Sequence, residues 1–500
     1  MRRCTGVWLL LCLALPLSAQ PTSLRSQWQS IRHFRQSHPV HHRTILPLTV
    51  HSKRARRLFE QGMTDFTNLQ TAKALEEWRE STRRDPHFAL AHIFISLNSK
   101  DPGEQTAELA KAKAGERHVT RGERLLIHWV EGVRENNYVA GIQAMNDLVG
   151  MYPRDKQLLY VVGNWLVVQE SYDQARKFME RALAIDSKYP PALNDLGYAY
   201  ALTRDYKNAI PAMQRYVAAL PDQPNPQDSY AEILRLSGDF QGALQHYHEA
   251  LKIDPKFVYS QLGIGDTYAL MGDETRARAE YAKAIASADS DADRVEFEMQ
   301  SAMTYVRERK YAEADRAFSA VASEAHSLKL SFHEAEIKRM MAMYEPDTAT
   351  VLQHLQEAET VLSQATSVPK SDREEELGRV LRWRVVRAGE AGDQNTADQA
   401  LQRLQAMALA SHNHANFHAS EAAQGARLMQ QGKYADAIPH LQEDHDNAFS
   451  MKLLANAYMH VGATSEADTE SRLLRTMYTP TLDQAVMAMS AAEHLAEKPQ

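Results

Sequence analysis

Small and large apolar residues recur on a fixed beat through the middle of the chain. Gly163, Gly197, Ala231 and Gly265 lie 34 residues apart, and Ala175, Ala209, Ala243 and Ala277 repeat the same step twelve residues later. Larger residues keep time with them. Val162, Leu196, Tyr230 and Ile264 stand just before the first small position, and Leu166, Tyr200, Leu234 and Tyr268 three residues after it. Met179, Met213, Tyr247 and Tyr281 follow the alanine by four, and Ala182, Tyr216, Ala250 and Ala284 come next. Ser187, Pro221, Pro255 and Asp289 mark the exit of each unit. Within a unit the apolar positions fall at i, i+3 and i+4, so each unit predicts two amphipathic helices joined by a turn. A glycine or alanine at the crossing lets the two backbones approach closely. Runs of alternating β-branched residues are absent, so no strand competes.

The pattern extends beyond these four units. Gly62, Ala74, Trp78, Ser81 and Pro86 fit an earlier one, with a weaker unit over 88–121, and Trp129, Gly141, Met145, Leu148 and Pro153 stay in phase with Gly163. After about Asp291 the phase slips, yet Ala302 to Phe318, Gly425 to Leu441 and Ala455 to Ala467 still read as helical pairs. The stretch LPDQPNPQDSYAEIL, Leu220 to Leu234, carries three prolines in six residues. Because Ala231 keeps the step from Gly197, it predicts a stiffened turn, with Asn225 as N-cap, Pro226 in the first turn and Asp228 at the positive helix start. The expected organisation is a leader over 1–19, a basic arm over 20–52, a regular array over 53–291, less regular pairs over 292–480, and a capping helix and tail over 481–500.

Leu196-Gly197-x-x-Tyr200, Ala209-x-x-x-Met213 and Pro221 resemble the tetratricopeptide repeat, in which a 34-residue helix-turn-helix carries small residues, aromatics and a closing proline at these places. The resemblance implies an all-α superhelical solenoid, here of about ten to twelve helical hairpins. It also implies that the first helix of each pair lines a concave groove that takes a peptide or a partner helix. The exposed stripe of those helices is expected to carry Gln157, Tyr160, Asn164, Asn194, Tyr198, Asn225, Asp228, Glu232, Arg235, Tyr259 and Asp266. Asparagines offer both donor and acceptor to a peptide backbone, and tyrosines offer contact area at low entropy cost. Family members that clamp a C-terminal carboxylate use lysine, asparagine and arginine from successive first helices. Only Asn164 matches here, with Asp195 and Ser229 in the following units, so such a clamp is not expected. The acids Asp228, Glu232 and Asp266 point to a basic or neutral ligand segment.

The ends add a location. Arg2 and Arg3, the apolar run Val7 to Leu15, Pro16, and small Ser18 and Ala19 have the layout of a secretory leader, with cleavage expected after Ala19. No later run approaches the roughly 18 apolar residues of a membrane helix. Both cysteines, Cys4 and Cys12, lie inside that leader, so disulfide, thiol and cysteine-ligated metal chemistry are not expected of the exported chain. The net charge of −7 becomes about −9 without the two arginines, against the basic footprint that nucleic acid requires. One local exception is the stretch 21–59, the arm and the start of the array, with eight Lys or Arg and no acid; with Leu24, Trp28 and Ile31 at helical spacing, the arm offers a weak envelope contact.

Candidate chemistry is sparse. Gly263-x-Gly265 lacks a third glycine and a preceding strand, and Gly265 already serves the repeat. His414 and His418 stand one helical turn apart near His412, and His38, His41 and His42 cluster in the arm. Neither group has further ligands at metal spacing, so no metal and no cofactor are expected. Ser420 to Gln431 contains Gly425-Ala426-Arg427-Leu428-Met429-Gln430, which resembles an element of helical-ring lytic transglycosylases, with Glu421 as the acid. Glu421 lies only four residues upstream, one turn away on the same helix rather than across a cleft, and Gly425 and Ala437 also fit the repeat. The reading is a non-enzymatic, exported interaction scaffold, periplasmic or extracellular, with protein or peptide partners and a place in envelope-associated assembly; a transglycosylase-like enzyme is the alternative.

Overall fold

The computed structural model describes residues 45–487 apart from 68–69, 100–101, 135–137, 169–170, 289, 366–367, 369 and 412–413. The expected leader, most of the basic arm and the end of the expected terminal helix lie outside the described residues.

Twelve helical pairs follow one another among the described residues. The first six are α1 (Lys53–Thr67) with α2 (Thr71–Arg84), α3 (Ala89–Asn98) with α4 (Pro102–Ala114), α5 (Arg121–Arg134) with α6 (Tyr138–Met151), α7 (Lys156–Val168) with α8 (Tyr172–Ile185), α9 (Pro190–Ala201) with α10 (Tyr206–Ala219), and α11 (Pro224–Ser237) with α12 (Phe240–Ile253). Next come α13 (Val258–Leu270) with α14 (Glu274–Ala286), α15 (Asp291–Arg307) with α16 (Tyr311–Ser327), and α17 (Ser331–Tyr344) with α18 (Thr348–Gln364). The last are α19 (Lys370–Glu390) with α20 (Gln394–Ser411), α21 (His414–Gln430) with α22 (Tyr434–Gln442), and α23 (Ala448–His460) with α24 (Thr464–Arg475). A further helix, α25, is described over Leu482–Met487. The all-α stack of helical hairpins is the expected one.

The local chemistry repeats with the beat. Asp205, Asp239 and Asp273, in step at 34 residues, each cap a second helix by accepting the N–H of Asn208, Gly242 and Arg276. The residue before each cap turns left-handed, with φ of 58° at Arg204, 89° at Gly238 and 80° at Gly272. Where the paired helices cross, a Cβ on Gly265 would lie 2.7 Å from the Tyr281 ring, and one on Gly197 2.5 Å from Cε of Met213. The small phase positions therefore seat the large ones on the facing helix. Ala175, Ala209, Ala243 and Ala277 are fully buried. In the proline-rich stretch the helix starts earlier than expected, at Pro224, so Asn225 is not its N-cap; its amide instead donates to the Tyr216 hydroxyl at 2.9 Å.

The described chain forms two compact units, one ending at Ile233 and one beginning at Leu234, within α11. In each, first helices pack on neighbouring first helices, α3 on α5 and α7 on α9 in one, α15 on α17 and α19 on α21 in the other. That common side is the inner face. In the first unit it is closed by its own aromatics: Phe94 lies 5.2 Å from Trp78 and 5.5 Å from Phe59, and Phe66 of α1 reaches Tyr160 of α7 at 6.3 Å. In the second unit a core of Met299, Met303, Ile337, Met340, Val380, Trp383 and Phe449 takes in Leu482 of α25. The expected capping helix is thus, over its described residues, not a cap on the last pair alone: α25 packs on α15, α17 and α23. No described helix is long and apolar enough to cross a membrane.

Candidate functional site

All eleven residues of the expected stripe sit on first helices, yet much of it is covered. Tyr160, Asn164, Asn194, Tyr198, Glu232, Arg235 and Asp266 are buried; Asn225, Asp228 and Tyr259 are half-buried, and Gln157 is exposed. The expectation of an exposed stripe is therefore corrected at the seven buried positions. Helical phase places a residue on the inner face, but how tightly successive pairs turn decides whether that face is open.

These buried polar groups bond to one another across repeats. Tyr198 donates to Glu232 Oε2 at 2.8 Å, one full repeat away, and Asn164 Nδ2 donates to Asp195 Oδ2 at 2.8 Å. Burial pushes the Asp195 carboxyl up to about 6, against the holding effect of the Asn164 and Asn194 amides. Tyr160 stands against Tyr189 at 6.0 Å, edge to face, and burial, reinforced by the Asp195 charge, raises its hydroxyl well above the usual range. In the second unit Tyr281 donates to Asp266 Oδ1 at 2.7 Å.

Two stretches of the chain lie on the repeats as a peptide would. The first is the described end of the basic arm, residues 45–52, extended along the first unit. The N–H of Leu46 donates to Asp155 Oδ2 at 2.8 Å, that of Thr49 to Glu123 Oε1 at 2.8 Å, and that of His51 to Asp85 Oδ2 at 2.6 Å. Glu123 also completes a capping box, since its Oε2 accepts the Thr120 N–H while Thr120 Oγ1 accepts the Glu123 N–H. Burial works to raise the Asp85 carboxyl, but the N–H donors of His51, Ser52 and His87 outweigh it and hold the group below its ordinary value.

The second stretch runs from Met477 to Met487 across the inner face of the second unit. Arg235 Nη1 donates to the Tyr478 carbonyl at 2.9 Å, and the Tyr478 ring meets Phe240 edge to face at 5.1 Å. Gly238 makes room for it: a Cβ there would lie 2.8 Å from Tyr478 Cε2. Arg307 donates to Gln484 Oε1 at 2.6 Å and to the Thr481 carbonyl at 3.4 Å, and Arg382 to Asp483 Oδ1 at 3.3 Å. Of these three arginines the sequence reading named only Arg235. Arg307 and Arg382 carry no 34-residue signal, and their partners lie far along the chain.

Other candidates resolve into packing. Gly425 faces Leu441, whose side chain a Cβ would meet at 2.6 Å, as the repeat requires. Glu421 Oε2 lies 2.7 Å from Nδ1 of His440 on the paired helix. His418 Nδ1 stands 3.7 Å from Asp444, while His412 and the side chain of His414 lie outside the described residues, as do His38, His41 and His42. Among the described residues no three potential ligands gather at a metal-binding distance.

Family models described as tetratricopeptide repeat and TPR repeat match residues 166–233 and 231–272. Similar solved structures include a MamA protein, at 18% identity over 34% of this chain and 94% of that one with a TM-score of 0.30. TTC0263, a thermophilic TPR protein in Thermus thermophilus, is 22% identical over 36% and 98% with a TM-score of 0.31, and a MamA fragment from Desulfovibrio magneticus is 16% identical over 34% and 99% with a TM-score of 0.31. Curated proteins give no match. The family models, not these structures, carry the assignment.

Proposed function

Since this chain is a tetratricopeptide-repeat protein, and such proteins are protein-interaction scaffolds, we propose that it is an exported scaffold that binds partner proteins along the inner face of its repeats in envelope-associated assembly. One observation supports the inner face above all. In the second unit that face already seats a run of peptide, partly through arginine donors to main-chain carbonyls at Tyr478 and Thr481. Main-chain contacts do not depend on the sequence held, so the same donors serve other peptides. The leader-like segment Met1 to Ala19 and the Arg-rich arm after it support export and a contact with the envelope.

The test is site-specific photocrosslinking in the producing cell. A crosslinking residue at Gln157 or at the half-buried Tyr259 is expected to yield protein adducts that one at Lys177, exposed on α8, does not. Identical adducts from Lys177 would move binding off the inner face. N-terminal sequencing of the exported chain is expected to begin at Gln20; a chain that keeps Met1 and stays in the cytosol would end the export reading.

A further inference from the structure

The stretch Met477–Met487 is seated like a ligand. We infer that it is a displaceable occupant of the second unit's inner face, which holds the site closed until a peptide of the same chemistry replaces it: an extended aromatic lead followed by a helical turn with a leucine and an adjacent acid. The inference rests on the scaffold reading above and adds the partner's chemistry and its control.

Three properties set this stretch apart from the helical pairs. First, α25 packs on first helices of three different pairs, α15, α17 and α23, as a ligand laid on the inner face would, rather than on a pairing helix of its own among the described residues. Second, its contacts with the core and with the arginines lie near one another in sequence. Leu482 is buried among Met and Trp side chains of the core, Asp483 meets Arg382, Gln484 meets Arg307, and Tyr478 offers its carbonyl to Arg235. Third, it follows α24 through a short non-helical run that includes Pro480, so it rebinds at the high effective concentration of a tethered ligand.

The arginines explain why the site is exchanged rather than left empty. Arg382 is buried between Trp383 and Phe449, its Nε has no hydrogen-bond partner among the described residues, and its other carboxylate, Asp444, stands 3.9 Å away. Removing Asp483 strips this buried cation of its nearer acid, which is costly unless another acid arrives. Specificity therefore resides in a leucine and an acid side by side. The inner face of this unit calls for an acidic ligand; of the acids behind the expected basic or neutral one, Asp228 and Glu232 belong to the first unit and Asp266 to this one.

The test uses the full chain and a fluorescein-labelled peptide of residues 476–487, read by anisotropy. The unmodified chain is expected to bind it at least about tenfold more weakly than a tail-weakened chain carrying Leu482→Asp and Asp483→Lys. Adding Arg382→Ala to that chain, or Asp483→Lys to the peptide, is expected to lower affinity again by about tenfold. A tail-weakened chain that keeps its helical circular dichroism yet binds no better than the unmodified one would overturn the inference. Loss of that dichroism would do the same, by making the stretch an obligatory part of the core. Crosslinking at Tyr259 separates the two readings. Peptide binding without adducts leaves the occupant and removes the partner, whereas adducts without peptide binding do the reverse.

Discussion

Replacing Asp195 by asparagine is expected to stabilise the protein, and the structure says by how much and at what pH. Asp195 is 2% exposed and receives the amides of Asn164 and Asn194 at 2.8 and 3.3 Å. Those two neutral donors do not offset burial, so its carboxyl rises from an ordinary 3.8 to about 6. The folded chain therefore holds a proton that the unfolded chain has already lost between these two values. Stability falls as pH rises through that window and is level above it. The rise from 3.8 to about 6 corresponds to roughly 3 kcal/mol lost by neutral pH.

Asp195→Asn removes the charge and keeps the shape. Its one remaining oxygen can take the Oδ2 place and still accept from Asn164, and its new amide, in the Oδ1 place, can donate to Asn194 once that side chain turns its Oδ1, unpartnered among the described residues, toward it. Urea unfolding, followed by tryptophan fluorescence between about pH 4 and pH 8, is the assay. The variant and the native chain should coincide near the acid end and separate by about 2–3 kcal/mol at the other, the variant being the more stable. A variant less stable at neutral pH, or a gap that does not change with pH, would refute the reasoning.

Three further substitutions test the packing. Gly265→Ala drives a Cβ into the ring of Tyr281, whose hydroxyl is tied to Asp266, and should cost about 1–3 kcal/mol by urea unfolding, more than Gly197→Ala, where Met213 can turn aside; equal costs would undo the contrast. Glu376→Ala leaves Arg339 buried without the carboxylate that its Nε reaches at 2.5 Å, and should cost about 3–5 kcal/mol; an unchanged unfolding midpoint would show that the pair is not sealed from water. Glu123→Ala loses both the capping box and the Thr49 donors, and should cost about 2–3 kcal/mol and open residues 45–52 to protease; an unchanged digest would mean that Asp85 and Asp155 hold the segment alone.

The helical pairs were legible because their cause is local. A small residue is needed wherever a paired helix crosses, and Gly197 with Met213, or Gly265 with Tyr281, records that need within sixteen residues of sequence. The caps at Asp205, Asp239 and Asp273 keep the same 34-residue step and are equally local, yet they went unnamed in the sequence and emerge only with the structure. What could not be read was anything set by distant parts of the chain. Arg235 and Tyr478 are 243 residues apart, and Arg307 and Gln484 are 177 apart; no period links them. The covering of Tyr160 had the same origin, since Phe66 arrives from three pairs earlier. Periodicity gives the face on which a residue lies, while curvature decides what else lies there.

The two seated stretches divide the peptide backbone between them. Carboxylates at Asp85, Glu123 and Asp155 take N–H groups from residues 46–51, and guanidiniums at Arg235 and Arg307 give to carbonyls at 478 and 481. Each is a charge-assisted bond to a main-chain group, stronger than its neutral counterpart and indifferent to the side chain carried. For the inner face of the second unit this has a consequence for selectivity. A competing peptide matches the main-chain bonds automatically, so the difference between partner and occupant must come from side chains. Leu482 and Asp483 are where the occupant reaches the core and the buried arginine. A partner that improves on either of these displaces the stretch; one that merely extends the backbone contacts does not.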